Sequence, residues 1–162
     1  MLSIASSTNT TQHHFIVKHL HFGWWSLLSF VVLGITLEAM HAFKVGWYLE
    51  EAYTTRRLMW TLGHAHGTLL SLVHIAFATT LSLLPHGLAT SRRIASGCLM
   101  GGTILLPGGF FLGGIFIYDG DPGIGVWLVP VGALLLLIAV FLTALGTLRA
   151  SRAGSDVSDG NG

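Results

Sequence analysis

The chain has 162 residues, of which 52% are hydrophobic and only 9% are charged. A soluble domain carries about 25% charged residues, so this composition indicates an integral membrane protein. The formal net charge of +1 argues against nucleic acid as a partner. The single cysteine, Cys98, excludes an intrachain disulfide.

Residues 1–21 are predicted to form a polar N-terminal tail that contains four histidines. A histidine-rich tract can bind metal, and histidines beside a membrane span can also lie among lipid headgroups. The Ser- and Thr-rich start of this tail and the Gly- and Ser-rich residues 150–162 are predicted to be disordered. The four histidines are His13, His14, His19 and His21.

Four apolar runs follow, each long enough to meet the requirement of about 20 residues for crossing a bilayer. Turn residues separate them, notably Pro85-His86-Gly87 and Asp119-Gly-Asp-Pro-Gly123. We therefore predict an all-α fold, an integral membrane four-helix bundle of up-down-up-down topology over residues 22–149. The runs are 22–43, 58–84, 94–117 and 124–148.

The basic residues predict an orientation for this bundle. One side carries Lys18, Arg92, Arg93, Arg149 and Arg152, and the other carries Lys44, Arg56 and Arg57. Because cytoplasmic loops are enriched in Lys and Arg, both termini are predicted to be cytoplasmic, in a plasma (inner) membrane.

Glycines recur at four-residue spacing in the third run. Small residues at this spacing let helix backbones approach closely, so this stripe is predicted to be buried, either against another helix or against a flat cofactor. Its glycines are Gly97, Gly101, Gly109 and Gly113, with Gly102, Gly108 and Gly114 beside them.

Glu38 and His41 are the polar groups of the first run that suggest chemistry. Their i, i+3 spacing places them on one helix face, as in the Glu-x-x-His unit of bundle metal sites. A carboxylate in hydrocarbon must be neutral, paired or metal-bound, so Glu38 is predicted to face the bundle. A structural pair between Glu38 and Arg56, Arg57 or a histidine is the alternative.

The second run adds His64, His66 and His74. His64 and His66 lie about 200° apart around a helix and cannot point at one centre. His66 and His74 share a face with small residues and are predicted to face inward, with His66 close to Glu38 and His41. His64 is predicted to meet a different helix or the interface. The candidate metal ligands are therefore Glu38, His41, His64 and His66, each alternatively satisfied by a neighbouring polar group.

The pattern Gly63-His-Ala-His-Gly67, preceded by a helix with a Glu, resembles small four-helix membrane proteins that are similar to a fragment of the haem-copper oxidase catalytic subunit. The resemblance covers about Glu38 to Leu83. It implies haem or copper binding by His41, His66 and His74. The third and fourth runs contain no histidine, so this binding would involve the first two helices or a second chain.

Three functions follow as hypotheses. The first is a redox or electron-transfer protein that binds haem, copper or zinc. The second is a proton or ion relay or transport module, because ionisable residues inside membranes mark such pathways. The third is a structural subunit of a larger membrane complex or oligomer in the lipid bilayer. No catalytic motif selects an enzyme class.

Overall fold

The computed structural model describes the backbone of residues 2–49, 54–84, 88 and 91–159, and within these ranges the side chains of residue 10 and residues 12–152. Several predicted loop residues lie outside the described residues: Glu50, Glu51, Tyr53, Pro85, His86 and Gly87. The chain is nearly all helical, at 89%.

Five helices and one small hairpin make up the described chain. The helices are α1 (Leu2–Ala42), α2 (Gly46–Leu49), α3 (Thr54–Leu83), α4 (Arg92–Ile115) and α5 (Leu128–Asp159). Strands β1 (Ile117–Tyr118) and β2 (Asp121–Pro122) and a 3₁₀ helix (Ile124–Trp127) join α4 to α5.

Four of the helices are long and apolar enough to cross a membrane, which confirms the four predicted apolar helices. The first candidate span includes residues 12–21, which precede the predicted start at Phe22, because they contain neither Gly nor Pro and continue α1. The spans are Gln12–Ala42, Thr54–Leu83, Arg92–Ile115 and Ile124–Arg152.

Both polar ends of the chain are helical over the described residues, and their disorder stays a prediction. α1 already begins at Leu2, and α5 continues to Asp159. Extending an existing helix costs far less than nucleating a new one. The Ser and Thr residues of these segments lower helix propensity by only tenths of a kcal/mol each, roughly 0.5 relative to Ala. The long apolar helices therefore extend into both polar ends.

The long helices pack mainly with their neighbours in the chain. Among the described residues, the extensive contacts join α1 to α3, α3 to α4, and α4 to α5. The spans of α3 and α4 are 39% and 44% buried, whereas those of α1 and α5 are 17% and 11% buried. The helices therefore form a row with α3 and α4 in the centre, and a core cluster around Phe77, Leu81 and Leu99 lies among them.

The predicted tight turn after α4 is confirmed as a two-residue β-hairpin, in which Tyr118 pairs with Asp121. Its central residues, Asp119 and Gly120, have φ angles of 50° and 90°. Positive φ at both positions is what the hairpin turns that match strand twist require. The Asp-Gly sequence supplies it, and the chain reverses between α4 and α5.

An aromatic cluster closes the same end of the row. The Trp60 ring stacks on Phe111 at 5.5 Å between ring centroids, and the Tyr48 ring stacks on Trp60 at 6.5 Å. The Arg56 guanidinium lies 6.0 Å from the Trp60 ring and donates through Nε to the Gly114 carbonyl. Arg56 thus satisfies a carbonyl at the C-terminal end of α4, where backbone acceptors lack helical partners.

Candidate functional site

Two histidines meet in the interior of the row, one from α1 and one from α3. The Nδ1 atoms of His19 and His74 are 2.6 Å apart. His19 Nε2 lies 2.8 Å from Ser96 Oγ, and His74 Nε2 lies 3.0 Å from Thr103 Oγ1. Both hydroxyls belong to α4, so one polar network joins three helices.

The hydrogen bonds of this network have one consistent direction when both rings are neutral. Thr103 Oγ1 donates to the Leu99 carbonyl, so it accepts from His74 Nε2–H. A neutral imidazole has one N–H, which makes His74 Nδ1 an acceptor and His19 Nδ1 the donor. His19 Nε2 then accepts from Ser96 Oγ–H. This assignment follows from the network and places the donors in series.

The network is sealed within the protein. His19 and His74 are 0% exposed, Ser96 is 2% exposed and Thr103 is 3% exposed. The Phe77 ring packs edge-on against His19 at 4.7 Å between centroids. Because all four ring nitrogens have partners, the network avoids the cost of about 1–3 kcal/mol for each unsatisfied buried group.

The sequence predicts the position of one of these histidines and misses the other. His74 is predicted to face inward, which its burial confirms. His19 is assigned to a tail, yet it lies within the helical span that begins at Gln12. Gln12, His19 and Ser26 recur every seven residues, and all three make hydrogen bonds to α3. This spacing of polar residues, one every seven positions, is the sequence signal that could have identified His19.

The predicted roles of His64 and His66 on α3 are reversed. His64, not His66, lies against α1, where its Nδ1 is 2.8 Å from the Phe30 carbonyl. The His66 ring packs beside Phe110 of α4 at 5.0 Å, and its Nδ1 lies 2.8 Å from the Leu62 carbonyl of its own helix. The prediction that they point to opposite sides holds. The prediction that His66 faces α1 is wrong, because the small residues of α3 are divided between its two neighbours: Gly67 lies against α1 and Gly63 lies against α4.

Glu38 is not a buried residue of the bundle, contrary to the prediction. It is exposed, as is His41, whereas Leu37 is buried at 6% exposure. Successive residues are rotated by about 100° around a helix. Because Leu37 points into the protein, Glu38 lies on the exposed side of α1. The alternative is a structural pair of Glu38 with Arg56, Arg57 or a histidine. Both arginines donate hydrogen bonds to backbone carbonyls, Arg56 to Gly114 and Arg57 to Leu49.

Glu38 and His41 nevertheless share a feature with His64. The three side chains line one groove of about 220 Å³ between α1 and α3. Tyr48, which is buried at 4% exposure, also lines it. The structure therefore brings Glu38 and His41 together with His64, rather than with the predicted His66.

The geometry of the His19–His74 pair is that of a hydrogen bond and does not fit two ligands of one metal ion. Both ring nitrogens of His19 and of His74 are engaged in hydrogen bonds. Two imidazoles on one ion, each at about 2.0–2.1 Å, cannot keep their ligating nitrogens 2.6 Å apart without severe crowding. Across the described residues, no group of three or more His, Cys, Asp or Glu side chains could hold a metal ion.

Comparison with known proteins identifies no relative. No protein-family model matches the chain, and no curated protein and no solved structure matches it.

Proposed function

We propose that the chain is an integral membrane protein with an up-down-up-down arrangement of its four long helices, and that it relays protons through the His19–His74 pair. The observation that supports this is the 2.6 Å hydrogen bond between two wholly buried imidazoles, flanked by a hydroxyl at each end. Imidazole is the side chain that gains and loses a proton most readily near neutral pH. Ionisable groups within membrane helices mark such pathways.

The relay consists of three proton transfers along bonds that already exist. A proton that reaches His19 Nε2 from the Ser96 side makes an imidazolium, which releases its Nδ1 proton to His74 Nδ1. His74 then releases its Nε2 proton to Thr103 Oγ1, which passes its own hydroxyl hydrogen to a water molecule. One proton enters and one leaves, and each ring then carries its hydrogen on the other nitrogen. Each ring regains its starting tautomer by losing that hydrogen to a hydroxyl or water molecule and accepting one at the opposite nitrogen.

A proton-flux measurement tests the relay. The full chain is reconstituted in liposomes that enclose a pH-sensitive dye, and valinomycin with a potassium gradient sets the membrane potential. We expect His19→Asn and His74→Asn to lower the flux by at least about tenfold, because asparagine retains hydrogen bonding but cannot carry a proton at these pH values.

The matched control for this flux measurement is His21→Asn. His21 lies two residues from His19 on α1 and is exposed, so its variant should retain wild-type flux. Wild-type flux no greater than that of empty liposomes, or equal flux in the His19, His74 and His21 variants, contradicts the relay.

The topology has its own test. With four crossings and the excess of basic residues beside the termini, tags placed before Met1 and after Gly162 should both be inaccessible to a membrane-impermeant reagent in intact cells. A tag between Lys44 and Thr55 should react. Labelling of either terminal tag in intact cells contradicts the proposed orientation.

The redox and structural-subunit hypotheses stay predictions, and a separate measurement tests them. Glu38, His41 and His64 line one groove and are residue types that bind copper and zinc. No group of three such side chains among the described residues is placed to hold an ion, so a metal-dependent role is tested by direct measurement. Visible absorption and metal analysis of the purified protein distinguish these hypotheses. A Soret band indicates haem, stoichiometric copper or zinc indicates a metal site, and neither favours the relay or a structural subunit.

A further inference from the structure

We propose that the groove lined by Glu38, His41 and His64 is the mouth at which protons enter or leave the path to the His19–His74 pair. This inference rests on the proposed relay and assigns that relay a site of exchange with the surroundings. It is carried by the placement of titratable groups in the groove and by the polar side chains between the groove and the pair.

The groove combines an exposed carboxylate with two imidazoles. Glu38 and His41 are exposed and His64 is half-buried, and together with Tyr48 and Thr61 they line its volume of about 220 Å³. Glu38 and His41 lie in the last two turns of the α1 span, which ends at Ala42, so in the proposed arrangement they are at the membrane–water interface and exchange protons with water. The half-buried His64 lies between them and the interior, which is the position of the first acceptor on an inward path.

The hydrogen bonding of His64 leaves it ready to accept a proton. Its Nδ1 lies 2.8 Å from the Phe30 carbonyl, and a carbonyl only accepts, so Nδ1 carries the hydrogen and Nε2 carries the lone pair. Gly34 makes room for this ring, because a Cβ there would lie 2.7 Å from His64 Nε2. The contact holds the accepting nitrogen at the surface of α1 in the groove.

Polar groups continue along the α1–α3 interface from His64 towards the pair. Ser71 Oγ lies 2.8 Å from Ser26 Oγ, which joins the two helices by a side-chain hydrogen bond. Ser71 is one turn from His74 on α3. Between His64 and Ser71 in the sequence of α3, the buried hydroxyl of Thr68 has no hydrogen-bond partner among the described residues, so it adds an unused donor and acceptor to this segment.

A second groove connects this interface to the far nitrogen of the pair. It has a volume of about 330 Å³ between α1 and α4, and its lining includes Ser26, Phe30 and Thr103. Thr103 Oγ1 is the hydrogen-bond partner of His74 Nε2. Because both residues line this groove, water in it would have polar partners at Thr103 and at Ser26, which supplies a route from the pair to the Ser26–Ser71 bond.

The polar side chains along the α1–α3 interface extend over a length comparable to the thickness of a bilayer. At its other end, Gln12 Nε2 donates to the Leu81 carbonyl at 2.7 Å. The α1 segment from Gln12 to Glu38 is about 39 Å long at about 1.5 Å per residue, compared with a hydrocarbon core about 30 Å thick. Polar side chains thus recur along α1 over the full depth of a bilayer.

The liposome flux measurement tests the mouth with a matched pair of histidines. We expect Glu38→Gln and His64→Gln each to lower proton flux by about fivefold or more, because the carboxylate and imidazole that exchange protons are removed. His66→Gln should stay within about twofold of wild type, because His66 packs on α4 away from the groove. Glu38→Asp restores a carboxylate and should recover most of the flux.

Circular dichroism and the elution volume in detergent ensure that each variant tested is folded. If His64→Gln and Glu38→Gln show the same flux as His66→Gln while His19→Asn and His74→Asn abolish flux, the groove is not the site of proton exchange. The proposed relay is then retained. Failure of Glu38→Asp to recover flux also overturns the assignment of Glu38. If the wild-type protein carries no flux, the relay and its mouth are overturned together.

Discussion

Replacing His74 by leucine is expected to lower the free energy of unfolding by about 2–3 kcal/mol, because it leaves a buried hydrogen-bonding group without its partner. His19 Nδ1, 2.6 Å from His74 Nδ1 and 0% exposed, would face a methyl group. Thr103 loses less, since its hydroxyl already donates to the Leu99 carbonyl. The reciprocal variant, His19→Leu, should cost a similar amount.

The double variant His19→Leu/His74→Leu is expected to be less destabilised than the sum of the two single variants. With both rings removed, neither leaves the other unpaired. Ser96 can donate to a carbonyl of the preceding turn of its own helix, as serines in helices do, and Thr103 keeps its bond to Leu99. The interaction energy from the double-mutant cycle should be about 1–2 kcal/mol.

Unfolding by denaturant in detergent micelles measures these differences. His66→Leu is the matched control, since its ring is half-buried and its Nδ1 bonds to its own helix at Leu62. It should cost less than about 1 kcal/mol, as replacements away from buried networks usually do. Additive effects of the two single variants would show that the histidines do not interact energetically.

The number and approximate position of the helices follow from the sequence because hydrophobic length is a strong signal in membrane proteins. Four runs of apolar residues correspond to four candidate spans. The ends are less predictable, since residues 12–21 are polar enough to resemble a tail but contain neither Gly nor Pro to stop a helix. His19 is missed for this reason.

The rotation of each helix about its axis is harder to predict from the sequence than its position in the chain. A prediction from polarity alone places Glu38 inward, but in the structure the neighbouring Leu37 is the buried residue. Likewise the small residues of α3 indicate close packing without indicating which neighbour they contact. Gly67 receives the Phe30 ring of α1, whereas Gly63 lies against Phe111 and Pro107 of α4. A central helix has two packed faces, and periodicity cannot assign them to partners.

The glycine stripe of α4 is predicted to be buried throughout, and it is buried only in part. Gly109 lies against the backbone of α5, where a Cβ would be 2.9 Å from the Val129 nitrogen. A Cβ added at Gly97 or Gly108 would meet nothing within 4 Å among the described residues, so both positions face open space. Gly102 and Gly132 form further close backbone contacts between α4 and α5.

This difference leads to opposite expected results for one substitution at two glycines. Gly132→Ala should lower the free energy of unfolding by about 2–3 kcal/mol, at the upper end of overpacking effects. The added Cβ would lie 2.6 Å from the backbone nitrogen of Leu106 and 2.9 Å from its Cα. No side chain can rotate away from such a contact, so α4 and α5 must separate and lose packing along their interface.

Gly97→Ala should instead raise the free energy of unfolding by about 0.5–1 kcal/mol, because alanine has the higher helix propensity and meets no neighbour here. Both variants are measured by denaturant unfolding in the same micelles as the wild type, so lipid and detergent contributions are shared. Gly108→Ala, with the same open surroundings, repeats the Gly97 test. Destabilisation at Gly97 and Gly108, or an unchanged stability at Gly132, would contradict the α4–α5 crossing. The added methyl group is expected to destabilise the protein only at Gly132, because only there does it meet backbone atoms of the neighbouring helix.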